Sequence, residues 1–280
     1  MSIDVESVRA IAAWPEVADV IDSARTACTE LRWHQALRRR IPNAAAESRV
    51  RGAHASAELD GAREALGTVR DLMRGAIDRT NYTGPAELTV LAAIQATAES
   101  EHVGGLWNAA AAQGLARLHV AAGSLLLPAD HVGRPRRAGE QSLEFGELGP
   151  APEPGPQLDG RLQGLIELIG LADAPALVVI ALAHAELATL RPFVRGNGLV
   201  ARALERSLVQ ARGLDPTGVV VPEVGHLAAG SAAYVGALLA YGSGSREGVS
   251  LWIRHCGQAL IVGAAEGRKV ADAVLAGRLT

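Results

Sequence analysis

The chain is almost without lysine: Lys269 is the only one, and arginine supplies the rest of its positive side-chain charge. Arginine stays protonated near neutrality, yet its planar fork of donors suits carboxylates and phosphates. Aromatic residues are also scarce, at 3% against a hydrophobic fraction of 49%. The core must then be built from Ala, Leu, Val and Ile, which favours close-packed helices over a sandwich of β-branched and aromatic strands. Cys28 and Cys256 are the only cysteines, too few and too far apart for a disulfide framework or a cysteine-based zinc site. No apolar run reaches the roughly 20 residues that span a bilayer. The most apolar stretch, Ala174 to Ala183, leads straight into His184 and Glu186. Asp4, Glu6 and Arg9 precede any apolar run, unlike a secretory signal. The expectation is a soluble cytoplasmic protein with no membrane partner. A formal net charge of −3 gives no basic field to attract nucleic acid.

What the sequence does hold is helical periodicity. Val17, Ile21, Ala24 and Cys28 recur on one face, and Leu31 and Leu37 carry the pattern to an apparent breaker at Ile41-Pro42-Asn43. A second helix is expected from about Ala44 towards Gly61, and a third with Ala65, Leu66, Val69, Leu72 and Ile77 on one face. Pro85 opens another after the loop Asn81 to Gly84. Residues 128–156, rich in Pro and Gly, read as an irregular excursion with room for one short strand or hairpin near Leu143 and Phe145. Helical patterns resume at Leu162 and again at Leu177, the latter stopping at Arg191-Pro192. Two or three more helices fill Glu223 to Leu279.

The chemistry concentrates between two of these helices, in Arg191-Pro192-Phe193-Val194-Arg195-Gly196-Asn197-Gly198. Glycines at a helix start expose consecutive N–H groups, and the helix dipole adds partial positive charge. The result is either a small anion pocket, typically for phosphate, or simply a tight helix–helix turn. His54, His102, His119, His131, His226 and His255 show no metal-ligand spacing and are expected at the surface or in packing, so no metal site is expected.

Arg191 to Arg202 resembles the Fic family motif H-P-F-x-[DE]-G-N-G-[RK]-x-x-R. Ala183 to Leu190 is similar to the helix that precedes the motif, and Ala211 to Pro216 to the exit from the helix that follows. The resemblance, covering residues 85–280, implies an all-α Fic-type core with a small β-hairpin flap, preceded by an N-terminal helical region at 1–84. It places His184 on the motif helix as a structural residue. It also implies that Arg191 stands where the family has its histidine base, and a guanidinium with a pKa above about 12 takes no proton at neutral pH. Arg195 replaces the acidic residue that holds Mg²⁺, and Leu199 replaces the first motif arginine. Phe193, Gly196, Asn197, Gly198 and Arg202 are retained. Ser56-Ala57-Glu58-Leu59-Asp60-Gly61 is similar to the family's inhibitory motif [ST]-x-x-x-E-[GN], which pairs its acid with the second motif arginine, here Arg202. The same string alone is a helix end capped by Gly61. The flap corresponds to 137–145, against which the family lays a target protein, and Arg134, Arg136 and Arg137 lie beside it.

An electropositive pocket of Arg191, Arg195, Arg202 and the loop amides follows from this frame, able to hold a phosphate without metal. Three function classes stay open: a degenerate Fic protein binding ATP, another nucleotide or a phosphorylated ligand; a transferase of AMP or a similar group acting by altered chemistry; and a helical interaction module with a vestigial pocket.

Overall fold

Among the described residues, proline stands in the first turn of five helices, at Pro15, Pro42, Pro85, Pro156 and Pro222. Its fixed φ suits a first turn, where the missing N–H would have no intrahelical partner. Pro42 corrects the sequence reading: Ile41-Pro42-Asn43 is the first turn of a helix and not a break before one. The computed structural model describes residues 4–278. The helices are α1 (Val5–Ala12), α2 (Pro15–Arg32), α3 (Ile41–Leu59), α4 (Leu66–Met73), α5 (Pro85–Glu99) and α6 (Ala111–Gly123), then, after the excursion, α7 (Pro156–Ile169), α8 (Ala176–Leu190), α9 (Asn197–Ala211), α10 (Pro222–Ala229), α11 (Ser231–Gly242) and α12 (Arg246–Leu275).

Helix α8 is apolar on nearly every side and buried along its length, as a helix without a solvent face must be. Helix α9 packs on it and reaches α5 and α6, while α12 runs along α2, α10 and α11. Gly225 of α10 lies so close to the α12 backbone at Ala259 that no side chain would fit. One cluster of buried residues runs from Val8 to Val274, so the N-terminal helices share a core with the rest. No single helix among the described residues is long and apolar enough to cross a membrane; α10 and α11 reach that length and composition only as a pair bent by 97°.

The all-α class follows from the composition, but the expected β-hairpin flap is absent among the described residues. Residues 124–155 contain only 3₁₀ turns, at Ala129–His131 and Gly146–Leu148. The excursion meets the motif loop at single points: Arg136 N donates to Pro192 O (2.7 Å) and Leu143 N to Val194 O (2.9 Å). Phe145 then takes a left-handed φ of 52°, which ends any extended run. Pro150, Pro152 and Pro154 lack the N–H groups a returning strand needs.

Candidate functional site

Helix α8 ends at Leu190 and α9 begins at Asn197, with Arg191 in the left-handed region (φ 48°) and Gly196 at φ 90°. That conformation costs a non-glycine residue about 1–2 kcal/mol, so the turn at Arg191 must be held by its surroundings. Asn197 staples the loop from within: its Oδ1 accepts from Phe193 N and its Nδ2 donates to Phe193 O, both at 2.9 Å. The Phe193 ring stacks on His119 of α6 with centroids 3.7 Å apart. His119 Nε2 pairs with Arg195 O (3.0 Å), and Gly133 N donates to its Nδ1 (3.0 Å). These partners settle the neutral tautomer with the proton on Nε2. Burial accordingly pushes the His119 pKa down to about 4.

The backbone N–H groups of Gly196 and Asn197 converge on one acceptor, the carboxylate of Glu144. Gly196 N donates to its Oε1 (2.7 Å), Asn197 N to its Oε2 (2.7 Å) and Asn197 Nδ2 to Oε2 (3.0 Å). This is an anion nest at a helix N-terminus, filled by a side chain of the excursion. Burial, together with the nearby Asp60 charge, raises the Glu144 pKa against the pull of the loop amides.

The arginines are deployed differently from the sequence expectation. Arg191 is buried, and its Nη1 donates to three backbone carbonyls of the excursion: Phe145 O and Gly149 O at 2.9 Å and Glu144 O at 3.3 Å. Arg136 is buried beside it, donating to the carbonyls of Arg191 (2.8 Å), Pro152 (2.8 Å) and Glu140 (3.1 Å). Arg134 pairs with both carboxylate oxygens of Glu140 at 2.7 Å. Leu199, at the first motif arginine's place, is core. Arg202 is 1% exposed and reaches back to α3. Its Nε donates to Ser56 Oγ (2.8 Å), and its Nη2 to Ser56 O (3.0 Å) and to Asp60 Oδ1 (2.6 Å). Asp60 therefore reaches Arg202 despite its shorter side chain, with Gly61 following in the left-handed conformation (φ 81°). The Tyr234 hydroxyl also lies against the Arg202 guanidinium, while Arg202 Nη1, buried beside Gly198, makes no well-formed hydrogen bond.

Arg195 faces a cavity of about 520 Å³ lined also by Asp60, Leu143, Glu144, Phe145 and Glu147. Three carboxylates and one arginine border it, so the expected electropositive pocket is corrected: Arg191 has turned to backbone carbonyls and Asp60 neutralises Arg202. Where the family resemblance puts a metal ligand stands Arg195, and two of the three carboxylates, Asp60 and Glu144, are engaged by Arg202 and the loop amides. These residues do not fit Mg²⁺ at that place. They do fit an anion, through the nest and the unpartnered Arg202 Nη1.

Sequence reasoning missed a second buried cluster. His184 Nδ1 and His226 Nε2 each lie 2.7 Å from Glu205 Oε2. Tyr234 OH is 2.7 Å from His184 Nε2, and His255 Nε2 is 3.0 Å from His226 Nδ1. Three of these residues, His184, Glu205 and His226, have the donor set of a cation site, in contrast to the absence of metal spacing along the chain. As placed they satisfy one another by hydrogen bonds, leaving only Glu205 Oε1 without a partner. The one signal in the sequence is a glutamate on the apolar stripe of α9.

Residues 110–208 match the model of the Fic/DOC family. The fold is similar to that of a Fic family protein from Desulfovibrio desulfuricans G20, at 18% identity and a TM-score of 0.67, covering 93% of this chain and 76% of that one. It is similar too to Fic-1 (residues 134–508) from C. elegans, with 16% identity, a TM-score of 0.68, and 93% and 73% covered. A Fic domain containing signaling protein from Bacteroides thetaiotaomicron VPI-5482 matches with 15% identity, a TM-score of 0.62, and 91% and 98% covered. No curated protein matches in sequence.

Proposed function

Because this chain belongs to the Fic/DOC family through residues 110–208, we propose that it binds a phosphate-bearing ligand, foremost a nucleotide, at the Gly196-Asn197-Gly198 loop, with AMP transfer lost or weak. The observation that carries this reading is the anion nest, whose three donors already converge on a carboxylate at 2.7–3.0 Å. The unpartnered Arg202 Nη1 at the same loop adds a charged donor. Charge-assisted hydrogen bonds to phosphate contribute about 1.5–3 kcal/mol each, and two or three suffice for micromolar affinity after ordering costs.

The same geometry argues against the family's transfer chemistry. A general base is typically worth about 10²–10⁴ in rate; Arg191 is no base, and its guanidinium is committed to backbone carbonyls of the excursion. Relieving the Asp60–Arg202 pair restores neither that base nor a metal ligand at Arg195. Calorimetry on Asp60→Ala with ATP, ADP and GTP in EDTA should give micromolar binding, and Arg195→Asp should weaken it and make the remainder depend on Mg²⁺. Transfer of label from α-labelled ATP to protein should stay undetectable for Asp60→Ala; robust labelling would favour an active transferase, with a target laid against 137–145, where Leu143 is 71% exposed. An interaction module is favoured by one observation, the filling of the nest by the chain's own Glu144. It becomes the better reading if neither Asp60→Ala nor the double variant Asp60→Ala/Glu144→Ala gives heat or a Tm shift at millimolar nucleotide.

A further inference from the structure

We propose that Glu144 is a displaceable internal plug of the anion nest, held in place by Arg191, and that the nest takes a ligand's phosphate only when the 141–149 segment lifts. The proposal rests on the phosphate-binding reading above and names how that site is controlled. It assigns Arg191 a positioning role in place of a catalytic one.

The Glu144 carboxylate makes the contacts a phosphate oxygen pair would make, on Gly196 N, Asn197 N and Asn197 Nδ2. Ligand and plug therefore cannot share the nest. The plug is held in place by Arg191, whose Nη1 gathers the carbonyls of Glu144, Phe145 and Gly149 while Arg136 grips the Arg191 carbonyl, and by the packing of Phe145 and Leu148 on the core. Leu143 N on Val194 O adds one backbone bond. The plug's own footing is modest. Among the described residues no arginine side chain pairs with the Glu144 carboxylate, and Asp60 lies close enough to repel it. A polyphosphate brings more negative charge to the same amides and can also engage the unpartnered Arg202 Nη1. Lifting 141–149 also withdraws Phe145 and Leu148 from the edge of the core, Phe145 from beside Tyr234, while the helices themselves keep their packing.

The experiment uses the full chain and sodium tripolyphosphate in EDTA as the probe. Glu144→Ala and Glu144→Gln should bind it about tenfold or more tightly than the wild type by calorimetry. Arg191→Met should tighten binding as well and speed amide exchange across 141–149; a merely structural role for Arg191 would speed exchange without tightening binding. On the wild type, saturating tripolyphosphate should accelerate exchange in 141–149 while Gly196 and Asn197 stay protected, a readout that needs no variant to fold. If Glu144→Ala binds no better than the wild type while Asp60→Ala does, the plug is refuted and the nest reading survives. If 141–149 exchange does not change in a probe-saturated wild type, the plug is likewise refuted. If the wild type, both single variants and the double variant Asp60→Ala/Glu144→Ala all fail to bind, the phosphate reading falls and the plug with it.

Discussion

Glu205 is one carboxylate answering two imidazoles in a space with no exposure at all. Burial pushes its pKa up, but His226 and His184 outweigh that and hold it well below the usual carboxylate range. The pairing is strong because water offers no alternative partner there. Glu205→Ala leaves two buried ring N–H groups without an acceptor and a cavity between His184 and His226. It should lower stability by roughly 3 kcal/mol or more, read as a drop in the urea midpoint. A residue merely lining a surface would cost under about 0.5 kcal/mol. Asp60 differs in kind: its carboxylate is partly exposed and its partner Arg202 keeps Ser56 as a second anchor. Asp60→Ala should therefore change ligand binding and also lower the urea midpoint, because Arg202, 1% exposed, loses its carboxylate partner.

Helix α6 acts on the motif loop through His119, which stacks on Phe193 and pairs with the Arg195 carbonyl. Its pKa falls to about 4 on burial, whereas the unfolded chain's histidine titrates near 6.5. The unfolded state therefore takes up a proton first as pH falls. The stabilisation is fully present above about pH 6.5, erodes below it, and is lost as the pH reaches the folded value near 4. His255 is depressed in the same way and for the same reason, burial, so both add to the acid sensitivity. His119→Phe keeps the ring stack but removes one titrating site. Across pH 4.5–6 its stability should depend on pH less steeply than the wild type's by about 1 kcal/mol per unit, measured as unfolding free energy against pH. An unchanged slope would mean that His119 is not buried neutral. The excursion shows the same principle of elements governing the loop from outside: it has no strand of its own, yet it delivers Glu144 to α9.

Across the whole molecule, residues before 85 are not an appendage. Arg206 of α9 and Glu223 of α10 form a buried pair at 2.7 Å, and Arg206 also donates to Ser48 Oγ (3.1 Å) and Ser48 O (3.3 Å) on α3. Helix α12 buries Cys256, Leu260 and Ala264 and packs along α2 and α3. Removing residues 1–84 would open that apolar face and leave the Arg206 pair partly uncovered. A chain beginning at Pro85 should therefore lack a single cooperative unfolding transition by circular dichroism and expose apolar surface to a dye such as ANS. A sharp transition in that fragment would show that 85–280 folds alone.

Much of this protein was legible locally. Helical periodicity, the proline-opened turns and the Pro/Gly punctuation around 191–198 rest on short-range sterics, so α8, the turn at Gly196 and α9 could be read from the residues themselves. The exclusions of a disulfide framework and of a single membrane-spanning helix needed only composition and length. Pairings across long separations could not be read in that way. Neither periodicity nor spacing told that Glu144 would enter the nest, that Arg191 would turn from the pocket to carbonyls, or that His184, Glu205 and His226 would meet. Nor did a Pro/Gly-rich excursion reveal whether it would close as a hairpin or lie single along the loop. Each of those outcomes depends on which buried donors and acceptors find one another once the helices have packed, and an arginine or a glutamate carries no local signal of its eventual partner.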